Sequence, residues 1–230
     1  AVIEEISISL REGELVGLLG ISGSGKSTLF NIVSGLLAPE QGQVILEGED
    51  VTGKKGIISY MQQKDLLLPH KTVIDNVSLP LLLKGESKKA ARSQAAEFLP
   101  RFGLEGTAAK YPGQLSGGMR QRAALLRTHL FGGHVALLDE PFSALDALTK
   151  RRIHQWYLNL MEQLGMSTLF ITHDIDEAIL LSDRLYIMTG IPGRIEHEII
   201  ISEKRPRHME FNTTQSFLEY KRQILELLHL

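Results

Sequence analysis

Residues 20–27 read Gly20-Ile21-Ser22-Gly23-Ser24-Gly25-Lys26-Ser27, a complete GxxxxGK[ST] pattern whose task is to hold a chain of phosphates. Glycines let the backbone approach an anion and aim successive N–H groups at it, where bulkier residues would obstruct. Gly20, Ser22, Gly23, Ser24 and Gly25 are therefore candidates for the cradle, with Thr28 continuing it into the next helix. Lys26 supplies a charge for the outer phosphates. Ser27 offers a hydroxyl to Mg²⁺, a hard ion that prefers oxygen and keeps water.

A second constellation is Val135-Ala136-Leu137-Leu138-Asp139-Glu140-Pro141, an apolar run that ends abruptly in two carboxylates. Asp139 is placed to steady Mg²⁺ through its water shell, and Glu140 to orient and polarise the water that attacks a terminal phosphate. Alone, such a pair can also be read as solvated acids at a strand end. The phosphate loop in the same chain favours the chemical reading. A third segment, Leu115-Ser116-Gly117-Gly118-Met119, looks like a helix start with Ser116 as cap and two glycines leaving the amides uncovered. It makes a second anion site, surplus within one subunit but useful when two copies meet head to tail. By itself, Ser-Gly-Gly also reads as a turn.

The elements that must position these groups follow from pattern. Leu15-Val16-Gly17-Leu18-Leu19 is an apolar run of strand length and Ser27–Val33 begins a helical pattern, so the segment from Glu14 to Leu46 predicts strand, loop, helix, strand: a βαβ opening closed by the turn Pro39-Glu40-Gln41-Gly42. Ile57–Met61 is a further strand candidate. The texture then changes. Ser87 caps a helix whose Ala91, Ala95, Phe98, Leu99 and Phe102 recur at helical spacing, with Pro69, Pro80 and Pro112 as punctuation. Strand runs return at Val135–Leu138, Ser167–Thr172 and Arg184–Met188, with a crossover helix over Leu148–Leu164 and an amphipathic closing helix over Thr213–Leu230. The fold class is α/β, one domain over 1–230, with a helical lobe inserted at 64–125.

Composition excludes several classes. A net charge of −2 and a pI near 6.5 offer no basic field for nucleic acid. The chain has no cysteine, so disulfides and thiolate metal sites are excluded. No apolar run approaches the ~18 residues of a spanning helix, and Ala1-Val2-Ile3-Glu4-Glu5 carries no basic region ahead of an apolar stretch, so a chain that does not itself cross a membrane is expected. No histidine pair has metal spacing. Arg120, Arg122 and Arg127 follow the Ser-Gly-Gly segment at helical spacing and read as solvated or salt-bridged faces.

The phosphate loop, Leu115–Met119, Leu137-Leu138-Asp139-Glu140-Pro141, Ser143-Ala144-Leu145-Asp146 and Ile171-Thr172-His173-Asp174 occur in an order that resembles the nucleotide-binding subunit of ATP-binding cassette (ABC) transporters. The resemblance covers essentially the whole chain. It implies a phosphate-loop NTPase core with a parallel sheet, a β-rich edge and the inserted helical subdomain. It also implies a dimer with two ATP molecules, each sandwiched between one copy's phosphate loop and the other's Leu115–Met119. By position Gln63, in preference to its neighbour Gln62, matches the family's glutamine loop, implying a role in sensing Mg²⁺ and water linked to movement of the helical lobe. Asp146, with Ser143, Ala144 and Leu145, would organise the dimer contact. His173 would touch the γ-phosphate and, with Glu140 and Gln63, complete the catalytic set. Ser27, Gln63 and Asp139 would face the metal.

The resemblance further implies transmembrane permease subunits as partners, an extracellular solute-binding protein indirectly, no nucleic acid, and a place on the inner, cytoplasmic face of the membrane. A permease helix would dock near Leu67–Val77, including Asp75 and Asn76. Stretches at Asp139–Thr149, His173–Ala178 and Pro192–Ile195 resemble the importer branch for nitrate, sulfonates, taurine and thiamine-pyrimidine precursors, with a sulfonate or thiamine precursor ahead of nitrate. A cassette acting in solution is the rival, usually marked by long coiled-coil insertions or tandem cassettes, neither of which occurs here. The family's adenine-stacking aromatic lies about two dozen positions before the phosphate loop, upstream of Ala1, so phosphates and metal are expected to supply most of the affinity.

Overall fold

Leu15–Gly20 forms strand β1, buried at every position, as its unbroken apolar run requires of a strand covered on both faces. The computed structural model describes residues 1–143 and 147–228. After β1 come α1 (Lys26–Val33), β2 (Ile45–Leu46), β3 (Glu49–Asp50), β4 (Ser59–Met61), α2 (Val73–Val77), α3 (Leu79–Leu83), α4 (Lys88–Phe98) and α5 (Gly117–Leu130). The chain continues through β5 (Val135–Asp139), α6 (Ala147–Leu164), β6 (Ser167–Thr172), α7 (Ile175–Leu181), β7 (Arg184–Thr189), β8 (Arg194–Ile200) and α8 (Gln215–Leu227).

The main sheet has the order β4-β5-β6-β1-β7-β8, parallel except where β8 folds back on β7. Alternation along the strands divides the core. Val16, Leu18 and Leu137 face α1 and the first residues of the chain, whereas Leu15, Ala136 and Leu138 face α2 to α6. A third cluster, built on Leu19, Leu185 and Ile187, packs under α7 and α8.

The expected βαβ opening does not form. β2 leaves the main sheet and pairs antiparallel with β3, Ile45 opposite Asp50 and Leu46 opposite Glu49. Glu47 and Gly48 between them both have positive φ, 52° and 84°, the signature of a two-residue hairpin turn. Such a hairpin closes at once, while a parallel return needs a crossover of a dozen residues or more. β1 finds its parallel neighbours late in the chain instead, in β6 and β7. Among the other expectations, β4 is shorter than Ile57–Met61, and Leu218 of the closing stripe is exposed while Phe217 and Ile224 are buried. The edge strand β8 gave no clear sequence signal because its residues are mostly solvent-facing.

The helical segment between β4 and β5 is capped by side chains. Thr72, Ser87 and Ser116 accept N–H bonds at the starts of α2, α4 and α5. α5 runs through position 125 to Leu130 and packs against β4, so the expected lobe boundary falls inside this helix. Asn76 is fully buried; its amide donates to the carbonyls of Leu68, Lys71 and Thr72 and accepts the Leu68 N–H at 2.7 Å. Asp75 accepts both arms of Arg92, at 2.8 and 2.7 Å. Asn76 is thereby taken up inside the lobe, which corrects its expected place in a docking groove, while Asp75 is half-buried in its ion pair with Arg92.

Candidate functional site

The phosphate loop leaves the buried end of β1 and turns into α1. A Cβ at Gly20 would collide with the Met188 carbonyl of β7, and Gly25, which caps α1 with φ 98°, would collide with Ile3. Gly23 also has positive φ, 85°. Ser24 is buried with its hydroxyl donating to the Ile21 carbonyl, while Ser22 stays at the exposed mouth and Thr28 is half-buried in the first turn of α1. The Lys26 ammonium folds over the loop and donates to the carbonyls of Gly20 (2.8 Å) and Ile21 (2.7 Å). Burial lowers its pKa, opposed by the charges of Glu140 and Asp139.

Asp139 ends β5 on the face that carries Leu137, and so points toward α1. Its Oδ2 accepts from the Ser27 hydroxyl at 3.0 Å and from the Tyr60 hydroxyl at 3.3 Å. Burial pushes this carboxyl up, and the two hydroxyl donors pull it back. No basic side chain forms an ion pair with it among the described residues; Lys26 acts on it only through space. A buried carboxylate beside a serine hydroxyl is a hard-oxygen donor set that fits Mg²⁺. No cluster of three His, Cys, Asp or Glu forms a cage among the described residues, so most of such an ion's shell falls to phosphate and water.

Glu140 is the point of convergence. Its Oε2 accepts from Gln63 Nε2 at 2.9 Å and its Oε1 lies 3.0 Å from His173 Nδ1. Gln62 makes no such contact among the described residues. Glu140 adopts φ 47°, a left-handed conformation that costs a non-glycine residue roughly 1–2 kcal/mol. The surroundings enforce it: the Glu140 N–H donates to the Ile171 carbonyl, while the Ser143 N–H and hydroxyl both donate to the Glu140 carbonyl.

His173 projects from the turn between β6 and α7. The Asp174 N–H donates to the Thr172 hydroxyl, and Asp174 caps α7 by accepting the Glu177 N–H. Burial raises the Asp174 carboxyl, but the Glu177 amide and Lys150, 3.1 Å away, outweigh it and hold the group below the usual range. Behind it, buried His154 and Glu177 meet at 3.2 Å between α6 and α7.

Leu115 is buried and Ser116 caps α5 by accepting the Met119 N–H at 3.3 Å, with Gly117 and Gly118 forming the first turn. No hydrogen bond joins residues 115–119 to the phosphate loop among the described residues. Of the expected dimer segment, Ser143 is described and supports Glu140; Ala144, Leu145 and Asp146 lie outside the described residues. A cavity of about 1400 Å³ opens beside Thr28 between the first residues and the β2–β3 hairpin, away from Glu140, Gln63 and His173.

Sequence reasoning missed three supports. Tyr60 has no motif of its own; its period-two position on β4 was the available signal. Lys150, His154 and Glu177 sit on two helices far apart in sequence. Arg127, expected on a solvated or salt-bridged face, is half-buried and donates to the carbonyls of Asp65 (2.6 Å) and Leu66 (2.8 Å) just after Gln63. Arg120 does form a salt bridge, to Asp65, while Arg122 stacks on Trp156.

A glycine cradle at the end of a central parallel strand, a lysine folded over it and a carboxylate pair one strand over from β1's neighbour define a phosphate-loop NTPase. A family model described as "ABC transporter" matches residues 3–143. The formylaminopyrimidine import ATP-binding protein ThiZ of Halalkalibacterium halodurans is 48% identical, over 91% of this chain and 82% of its own. The aliphatic sulfonates import ATP-binding protein SsuB of Bacillus cereus is 39% identical over 98% of this chain and 87% of its own. The dimeric structure of MJ0796, a bacterial ABC transporter cassette, superposes with TM-score 0.76 at 31% identity, covering 88% of this chain and 92% of that one. The same cassette is also known in a post-hydrolysis state bound to ADP and Pi, with TM-score 0.75 at 32% identity and the same coverage. The chain belongs to the ABC transporter family and is one of its ATPase cassettes.

Proposed function

We propose that this cassette hydrolyses ATP as the motor of an importer, working as a head-to-tail pair at the inner face of the membrane beneath permease subunits that receive solute from an external binding protein. The observation that carries the reading is the meeting of Gln63 and His173 on the Glu140 carboxylate beside the Ser27–Asp139 pair. In this reading residues 64–125 form the lobe that carries Leu115–Met119 to the second copy's nucleotide, and Ser143–Asp146 line the contact between the copies.

The loop amides and Lys26 hold the β- and γ-phosphates. Each Glu140 oxygen, having two lone-pair directions, retains one for a water after accepting from Gln63 or facing His173. Glu140 takes the proton of that water as its oxygen attacks phosphorus, and the bond to the bridging oxygen breaks to leave ADP and phosphate. His173 holds the carboxylate in line and offers its other nitrogen to the γ-phosphate. Mg²⁺, when bound, would neutralise phosphate charge, and Ser27, Asp139 and Gln63 are the residues that would hold it.

The solute assigned is small and polar, of the sulfonate, nitrate or thiamine-pyrimidine-precursor type, with sulfonate and thiamine precursor ahead of nitrate. The import of formylaminopyrimidine, aliphatic sulfonates and nitrate by the relatives supports the class, and the 48% identity to a formylaminopyrimidine import protein supports the order. Uptake of labelled aminopyrimidine, alkanesulfonate and nitrate by cells with and without this subunit tests it. Loss of import of one of them on deletion is expected. Unchanged import of all three, with a drug or lipid retained instead, overturns the importer reading.

A further inference from the structure

Asp139 is the one carboxylate at the site that is buried without an ion-pair partner among the described residues, and the charge it carries has to be aimed. Two hydroxyls, from Ser27 and Tyr60, converge on the same oxygen, Oδ2. They come from different elements: Ser27 from the first turn of α1, Tyr60 from the middle of β4. Parallel pairing of β4 with β5 sets Tyr60 beside Leu137, two residues before Asp139 on the same face. The ring is wedged edge-on against Phe30 of α1, with centroids 5.9 Å apart. The contact with Phe30 holds the ring so that its hydroxyl reaches Asp139.

We propose that Tyr60 is a positioning residue for the metal-side carboxylate. Its hydroxyl pins Asp139 Oδ2, so that Oδ1 is the oxygen presented to the water shell of Mg²⁺. Ser27 cannot do this alone. Its hydroxyl has one proton and must also present a lone pair to the ion, so its direction is a compromise between the two. The Tyr60 hydroxyl donates to Asp139 and makes no other hydrogen bond among the described residues, so its single proton is committed to that carboxylate. A single donor to a buried charged group is worth about a tenfold change in an equilibrium that depends on it. The inference rests on the assignment of Ser27 and Asp139 to the metal side.

The test measures Mn²⁺ affinity, by electron paramagnetic resonance with a non-hydrolysable ATP analogue present, in four proteins: wild type, Tyr60→Phe, Asp139→Asn and the double variant. Phe keeps the ring against Phe30 and removes only the hydroxyl. Tyr60→Phe is expected to weaken Mn²⁺ binding about tenfold, while metal-free nucleotide affinity stays as in wild type and the nucleotide-free protein remains folded at the assay temperature. The Mg²⁺ concentration needed for half-maximal ATPase activity rises in parallel. In the Asp139→Asn background the same change has little further effect, because its target is gone. Unchanged Mn²⁺ affinity in Tyr60→Phe, or an equal loss in both backgrounds, overturns the proposal. If Asp139→Asn itself leaves Mn²⁺ affinity untouched, the assignment of the metal side fails instead, and the two failures are thereby told apart.

Discussion

The two glycine-led helix starts of this chain, α1 and α5, are built in opposite ways. The start of α1 is enclosed: Lys26 donates to two loop carbonyls, Ser27 reaches Asp139, and Gly20 and Gly25 lie against Met188 and Ile3. The start of α5 is capped only by its own Ser116, and no hydrogen bond joins it to the phosphate loop among the described residues. One start is finished by its own chain. The other is capped by its own serine alone, and the proposed composite site between two copies would complete it.

Attacking the enclosed half should produce the largest effects. Glu140→Gln keeps shape and removes the charge that takes the proton, so steady-state ATP turnover should fall about 10²- to 10⁴-fold while ATP binding persists. Near-normal turnover by a phosphate-release assay would give the base to another group. Lys26→Ala should weaken ATP binding roughly tenfold to a hundredfold, read by titration calorimetry, because charge-assisted bonds to the phosphates are lost. Equal affinity in wild type and variant would remove the phosphate loop from the site.

The open half is sharpened by complementation. Ser116→Arg and Lys26→Ala homodimers each lack every intact composite site, yet mixing them leaves one good site in each mixed dimer. Recovery to roughly a quarter of wild-type activity is expected, since half of randomly formed dimers are mixed and each has one of two sites. No recovery at any ratio breaks the comparison, and full activity of Ser116→Arg alone breaks it more directly.

Away from both helix starts the effects concern stability. Asn76→Ala strands several buried backbone groups and should cost about 2–3 kcal/mol in denaturant unfolding. A loss of permease coupling at unchanged stability would restore Asn76 to a docking surface. Smallest is Asp174→Asn, which keeps the cap on α7 but loses the ion pair with Lys150, worth up to about 1 kcal/mol. The Asp174 pKa is depressed by folding, so this stabilisation is present above about pH 4 and lost as pH falls through the folded value. Wild type and variant should therefore converge in acid; a difference that persists there assigns the effect to something other than charge.

Much of the site was legible because its chemistry depends on neighbours in sequence. The glycines and Lys26 act through one loop, Asp139 and Glu140 are consecutive, and Ser116 caps a helix that begins at the next residue. The strands of β5, β6 and β7 were legible because burial on both faces demands uninterrupted apolar runs. β2 was misassigned because a two-residue strand carries too little pattern to choose between hairpin and crossover, and a local turn at Glu47-Gly48 made that choice.

The sequence by itself determined a phosphate-loop pattern over residues 20–28, a consecutive carboxylate pair at Asp139 and Glu140, and a parallel α/β fold. Local spacing and periodicity encode those properties directly. Only the tertiary structure decided that Gln63, Glu140 and His173 share hydrogen bonds, that the Tyr60 hydroxyl meets Asp139, that Arg127 holds the backbone beside Gln63, and that Asn76 faces inward. Those contacts join residues separated by whole elements. Their existence depends on strand order and on which face of a strand or helix each side chain occupies, and sheet pairing fixes both only when the chain has closed on itself.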